Sequence, residues 1–340
     1  MHLGIELPFT AGVGSTWYQR FSMPVERVKL ADRLGYDMVF VAETGQDCFG
    51  PMGFVLGVTE RIGVGSRLMQ VGARSAAAAA IAFQTLDGMA GGRTVLAGVG
   101  SSQVERHEAW HGEPWGSPYW RMHDYVAVMR KVFAAEPLDY RGHEIRVPYD
   151  GEDAAHVGPV TVLTEPNPDV PILIGASTPM MTKLAAQVAD GWFPYGFCPG
   201  LMDAYRPLLD EGFERSGRPK ARESFRIWAH VDVIVTDDVA DALLPFKRYA
   251  ARLHRGTPQM AWRGYADVEE RVQELWSAGR YDDAARAIPD EYVDDGMLVG
   301  PLDRVTNRIG PWLESGLTGL IIRSENDDAY EALYRAARPA

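Results

Sequence analysis

Apolar and polar positions along the chain switch repeatedly between two periods. Short apolar runs at 2–7, 38–42, 62–70, 94–99, 171–174, 191–193, 225–235 and 319–323 predict strands. Between them, apolar residues recur at helical spacing. In 24–34, Val25, Val28, Ala31 and Leu34 share one face, and Gly35 stops the helix. Helices are also predicted over 76–90, closed by Gly91 and Gly92, and over 119–134, 179–189, 201–215, 302–315 and 329–336.

Runs such as VFVA and TVLAGV are apolar at successive positions, as in strands covered on both faces. Strand–helix alternation predicts a parallel sheet, and eight units predict a closed (β/α)8 TIM barrel. An open doubly wound sheet is the structural rival. The chain reads as one domain over 1–340, with a loop excursion at 137–170 over the strand C-termini and a helical insertion at about 237–290.

The net charge of −12 and the lack of a basic stripe argue against a nucleic-acid partner. Cys48 and Cys198 are far apart and without metal-type spacing, as expected in a reducing, cytoplasmic setting. The start, MHLGIELPF, reads as a strand rather than a signal peptide, and no apolar run approaches the ~20 residues of a membrane span.

In a barrel the working groups lie at strand C-termini. Here these include Glu43-Thr44, 66–70, 100–103, 175–178, 192–195 and Arg323-Ser324. There are no paired acids of a glycosidase and no G-x-S-x-G elbow. Two small-residue corners stand out: GVGSS at 98–102, and GAST at 175–178 before a helix opened by Pro179. Backbone N–H groups at such a corner suit an anion, which suggests a phosphorylated cofactor. Glu43 follows MVFVA directly, either as a functional carboxylate or as an arginine's structural partner. Trp110, Trp115, Tyr119 and Trp120 crowd one segment, as packing groups or, for one or two, as a wall against a flat ring. HEAWH at 107–111 matches the H-E-x-x-H zinc pattern, but Gly112 and Pro114 break the helix that a zinc hydrolase needs.

These segments resemble the luciferase-like monooxygenase superfamily, and within it the actinobacterial branch of coenzyme F420-dependent oxidoreductases. The likeness lies in YDMVFVAET at 36–44, RIGVGSRLMQVGARS at 61–75, FQTLDGMAGGRTVLAGVGSSQV at 83–104, WHGEPWGSPYWRMHDYVAVMRKVF at 110–133, the segment 171–194, and IPDEYVDDGMLVGPLDRV at 288–305. It implies a barrel with a deazaflavin, coenzyme F420, or a flavin, FMN, across the strand C-termini. It further implies cofactor contacts from Ser66, Arg67, Leu68, Gly100, Ser101, Ser102, Gly175, Ala176, Ser177 and Thr178, and a non-proline cis peptide near Arg67–Leu68. Sugar-phosphate dehydrogenases of the superfamily carry a histidine where this chain has Thr44 and a glutamate where it has Gln103. Sugar-phosphate oxidation is therefore not expected.

The expected activity is hydride transfer between the deazaflavin and a small organic substrate, as a reductase, in a homodimer. Glu43, Gln103 and His111 are the candidate catalytic groups, with Tyr195 beside them. The rivals are an FMN-dependent monooxygenase, a zinc hydrolase built on HEAWH, and a non-catalytic cofactor carrier.

Overall fold

A computed structural model describes residues 1–7, 24–43, 45–161, 166–167, 169–218, 221–254 and 256–338. Thr44 lies outside the described residues.

Eight parallel strands close into a barrel: β1 (His2–Glu6), β2 (Met38–Val41), β3 (Gly63–Ser66), β4 (Val95–Gly100), β5 (Ile172–Ala176), β6 (Gly191–Pro194), β7 (Arg226–Val235) and β8 (Gly319–Ser324). β8 pairs with β1, and β7 pairs with both β6 and β8, so the described barrel strands leave no open edge. Alternation decides which side chains face inward. Met38, Phe40, Leu96, Leu173, Phe193, Trp228 and Ile321 fill the barrel, with the Phe40 and Trp228 ring centres 5.0 Å apart. Their neighbours, such as Val39, Val41 and Ala97, pack outward against the helices.

The helices used below are α1 (Val25–Leu34), α2 (Phe49–Val58), α3 (Ala76–Ala90), α4 (Pro118–Phe133), α5 (Pro179–Val188), α6 (Met202–Ser216) and α7 (Val239–Leu253). Local chemistry fixes their ends. The Ser75 hydroxyl accepts from Ala78 N at 3.3 Å to cap α3, and Gly91 ends it at φ +62°. Thr178 caps α5, and Pro179 takes a first-turn position where its missing N–H costs nothing.

The structure departs from the expectations at five places. The run 62–70 is two strand pieces, Gly63–Ser66 and Met69–Gln70, separated by a cis Arg67–Leu68 peptide bond. α2 has no apolar periodicity, because FGPMGFVLGV is apolar throughout and carries three glycines. The helix expected over 302–315 is two turns, Leu302–Asn307 and Gly310–Leu313, because Pro311 has no N–H to continue it. A short strand, Met297–Gly300, pairs with the far half of β7 outside the barrel. The excursion after α4 forms a hairpin, Tyr140–Arg141 with Arg146–Val147, that docks on α4 rather than over the strand ends. Asp124 of α4 accepts from Glu144 N at 2.7 Å and from the Tyr140 hydroxyl at 2.8 Å.

The segment after β7 forms several helices and has its own apolar cluster built around Leu243, Met260, Val272, Ile288 and Tyr292. Its first helix, α7, lies against the barrel mouth and supplies Tyr249, Arg252 and Leu253 to the cavity described next.

Candidate active site

A cavity of about 650 Å3 opens at the C-terminal ends of the strands. Every barrel strand except β7 contributes a lining residue from its own end or the residues just after it, Ala42 and Glu43 for β2, and β7 contributes His230 from its middle. The floor is Leu68, which continues the apolar interior layer upward. Two strands must approach it without side chains. A Cβ on Gly175 would lie 1.9 Å from Leu68 Cδ1, and one on Gly100 would lie 2.8 Å from the same atom. These glycines are therefore required by close packing against the leucine.

The two small-residue corners meet at this cavity. Ser101, Ser102 and Gln103 leave β4, and Gly175–Thr178 leave β5 toward the N-terminus of α5. Arg106 lines the same side. In barrel order β4 and β5 face β8 and β1 across the mouth, so an opposite wall comes from the latter pair and β7.

That opposite wall is a charge network. Arg67 donates to Glu6 Oε2 and to His230 Nδ1. Arg323 donates to Asp232 Oδ1 and lies 3.8 Å from Glu6 Oε1. His230 Nε2 faces Asp232 Oδ2 at 3.7 Å. A guanidinium can only donate, so His230 Nδ1 accepts and the ring is neutral. Burial, and then the Arg67 charge, push His230 below the ordinary imidazole value, in agreement. Burial opposes the Asp232 charge, but His230 and Arg323 outweigh it and hold this carboxyl far below its ordinary range. Two cations and two anions thus balance.

Glu43 is nearly buried beneath the near wall. Its Oε2 accepts from Gln70 N at 2.8 Å, and its Oε1 accepts from Arg74 at 2.7 Å. Gln70 in turn accepts from the Ser102 hydroxyl at 2.7 Å, which joins Glu43 to the β4 corner. Burial, despite Gln70 N and Arg74, raises the Glu43 carboxyl above its ordinary value. The structure thus gives Glu43 an arginine partner and a place in the cavity lining together.

Among the other expected residues, Arg67, Leu68, Gly100, Ser101, Ser102, Gln103, Gly175, Ala176, Ser177, Thr178 and Tyr195 line the cavity. Ser66 does not reach it. Its side chain is buried, and its hydroxyl donates to Gly98 O at 2.7 Å. His111 also lies outside the lining, at the end of a π-helix, Glu105–Trp110. The wider turn of that helix separates the two histidines of HEAWH. His107 is buried with Nε2 against the Arg121 guanidinium, a position closed to a metal ion. Among the described residues, the metal-sized group of potential ligands is Glu43, Asp47 and Cys48, and Arg74 already bridges its two carboxylates. The aromatic segment supplies no wall. Trp110 is 82% exposed, and Trp120 stacks on His143 at 3.8 Å.

The sequence reading missed Glu6, His230 and Asp232. A usable signal was present, since strict alternation in RIWAHVDVIV puts Trp228, His230 and Asp232 on one face. It also missed Tyr249, whose helix had no assigned position relative to the barrel.

Residues 1–319 match the model of the luciferase-like monooxygenase family. The Mycobacterium tuberculosis protein Rv3520c, named as a coenzyme F420-dependent oxidoreductase, is 36% identical over 87% of this chain and 89% of its own. The coenzyme F420-dependent tetrahydromethanopterin reductase of Methanopyrus kandleri superposes with a TM-score of 0.74 at 19% identity, over 98% of this chain and 97% of that one. An F420-dependent secondary alcohol dehydrogenase, solved with an F420–acetone adduct, gives 0.73 at 17% identity, over 99% of both. Among the described residues no helix is long and apolar enough to cross a membrane. The chain belongs to the luciferase-like monooxygenase family.

Proposed function

We propose that the protein is a coenzyme F420-dependent oxidoreductase that moves a hydride between the reduced deazaflavin and a small organic substrate, working as a reductase. The observation that carries this reading is the single cavity that joins both small-residue corners to the Leu68 floor. Its residues suit an anionic, flat cofactor. The corner N–H groups and Arg106 attract a phosphorylated tail, and Leu68 offers an apolar face. When bound, a deazaflavin supplies hydride through carbon and reacts poorly with oxygen.

The chain's own groups position and exclude. Ser101, Ser102 and Ser177 with Thr178 hold the tail. Glu43 acts through Gln70, which it fixes against Ser102, and is a positioning residue in this reading. Gln103 at the rim hydrogen-bonds the substrate, and His111, which caps the π-helix outside the lining, has no contact with it. α7 covers the substrate side and limits water. The insertion belongs to the same single domain. Two cysteines without a disulfide, both buried, support a cytoplasmic setting. A homodimer belongs to the same reading, supported by exposed Phe54 and Met89 on the neighbouring helices α2 and α3.

The test is a pair of fluorescence titrations of the purified protein, with F420 and with FMN. Micromolar or tighter binding of the deazaflavin, with FMN at least tenfold weaker, is expected. FMN binding without deazaflavin binding overturns the reading in favour of the monooxygenase.

A further inference from the structure

Two phenols meet inside the cavity. Tyr195 follows β6, and Tyr249 comes from α7 of the insertion. The Tyr195 hydroxyl donates to the Tyr249 oxygen. That contact occupies an acceptor position on Tyr249 and leaves its own O–H to point elsewhere. Tyr249 is 44% exposed, and the surface it opens onto is the cavity. Around it lie the Arg67 and Arg323 cations and the Asp232 carboxylate. The two guanidiniums stabilise negative charge on a nearby oxygen, as the Tyr195 hydroxyl does.

We infer that Tyr249 is the proton donor of this site, that Tyr195 and the Arg67/Arg323 pair stabilise its phenolate, and that the substrate is an uncharged carbonyl compound. This rests on the deazaflavin reading. The step balances. A hydride from the reduced deazaflavin, which is oxidised, joins the carbonyl carbon. The C=O π pair moves to oxygen, the Tyr249 O–H bond breaks, and its proton joins that oxygen. An alcohol and a phenolate remain, and solvent reprotonates the phenolate.

Three features favour this assignment over the other groups of the site. His230 accepts from Arg67 and has no proton to give on that nitrogen. Both Glu43 oxygens accept from Gln70 N and Arg74. Burial, against the Tyr195 hydrogen bond and the two arginines, keeps the Tyr249 phenol above its ordinary pKa, so it carries its proton at neutral pH. A small compartment of about 60 Å3 lies behind Tyr249, walled by Asp232, His254 and Tyr292. It has room for about two water molecules, a route by which the proton returns. The neutral substrate follows from the charge balance of Glu6, Arg67, Asp232 and Arg323, which leaves no net charge on this wall to bind an ion.

The experiment uses full-length wild type, Y249F and Y195F, with acetophenone as the carbonyl probe. Infrared difference spectra are taken with oxidised F420 bound, and hydride transfer is followed in single turnovers with reduced F420. The expected results are a C=O stretch shifted to lower wavenumber in wild type and unshifted in Y249F, and transfer slowed about 10²–10⁴-fold in Y249F. Y195F keeps the shift and slows transfer about tenfold. Cofactor affinity stays within twofold in both variants, which separates loss of the proton donor from loss of the fold. A shift retained in Y249F, no shift in wild type, or Y249F transfer within threefold of wild type overturns the assignment. Absence of F420 binding by wild type shows instead that the deazaflavin reading has failed, and the assignment falls with it.

Discussion

Gly175→Ala tests the cavity floor. The added Cβ would sit 1.9 Å from Leu68 Cδ1, against an ordinary carbon–carbon contact of about 3.5–4.0 Å. The methyl must therefore retreat by roughly 1.6 Å or more. Gly100 already approaches the same methyl from the other side, and the barrel interior below is filled by Phe193 and Leu173. Leu68 is left to tip upward into the cavity. Overpacking of this kind costs about 1–3 kcal/mol. With about 2.1 cal/mol/K of unfolding entropy per residue and 340 residues, each kcal/mol lowers the melting midpoint by roughly 1.4 °C. A fall of about 1–4 °C is expected by calorimetry. Deazaflavin affinity drops at least tenfold, because the displaced side chain enters the ring's space. Leu68→Ala alone costs about 2 kcal/mol, at the low end for a leucine that is only part-buried. The double variant G175A/L68A removes the clash, so its destabilisation is smaller than the two single effects combined by about 1–3 kcal/mol. Strict additivity, within about 0.5 kcal/mol, would refute the claim that a methyl added at position 175 meets Leu68.

Two further outcomes follow from the charges. His254 is buried, and burial together with the Arg263 charge lowers its pKa to about 4. Its unfolded value is about 6.5, so the unfolded chain binds more protons in that window and stability rises with pH from about 4 to about 6.5, by as much as ~3 kcal/mol. H254Q flattens this limb in chemical denaturation at stepped pH, and an unchanged slope sinks the assignment. Arg106→Gln weakens deazaflavin binding about three- to tenfold at low salt, as expected for an exposed charge, and makes binding less sensitive to added salt. An unchanged low-salt affinity removes Arg106 from the anion-binding corner.

The barrel was legible because strands covered on both faces must be apolar throughout, and VFVA and TVLAGV are. The corners at 98–102 and 175–178 were legible as small-residue runs at strand ends that suit an anion, whereas the approach of Gly100 and Gly175 to Leu68 needs the tertiary structure. The charge network was not. Glu6 ends an apolar run and looks like its polar boundary. His230 and Asp232 look like the solvent face of an alternating strand, whereas that face is the inside of the barrel. α2 gave no period because both of its faces are apolar. Tyr249 could not be placed, since the contact of an inserted helix with the barrel mouth depends on tertiary packing, which no local pattern encodes. HEAWH misleads for the opposite reason. Its spacing is correct for an α-helix, but the segment winds as a π-helix and His107 faces Arg121.

The distribution of charge around the mouth then explains how an acidic protein can hold an anionic ligand. The chain carries a net −12, which repels a phosphorylated cofactor at long range. Within the lining, Glu6 is compensated by Arg67, Glu43 by Arg74, and Arg323 by Asp232. The remaining lining charges are Arg106, beside the Ser101–Gln103 corner, and Arg252 on α7, neither with an ion-pair partner among the described residues. The mouth is therefore locally cationic while the wall below it is neutral. At about 0.15 M salt the screening length is about 8 Å, so the distant negative charge fades and the two arginines dominate at contact. On the reading proposed above, an anionic tail is held at the rim, and the neutral pocket beneath is left to a substrate that carries no charge.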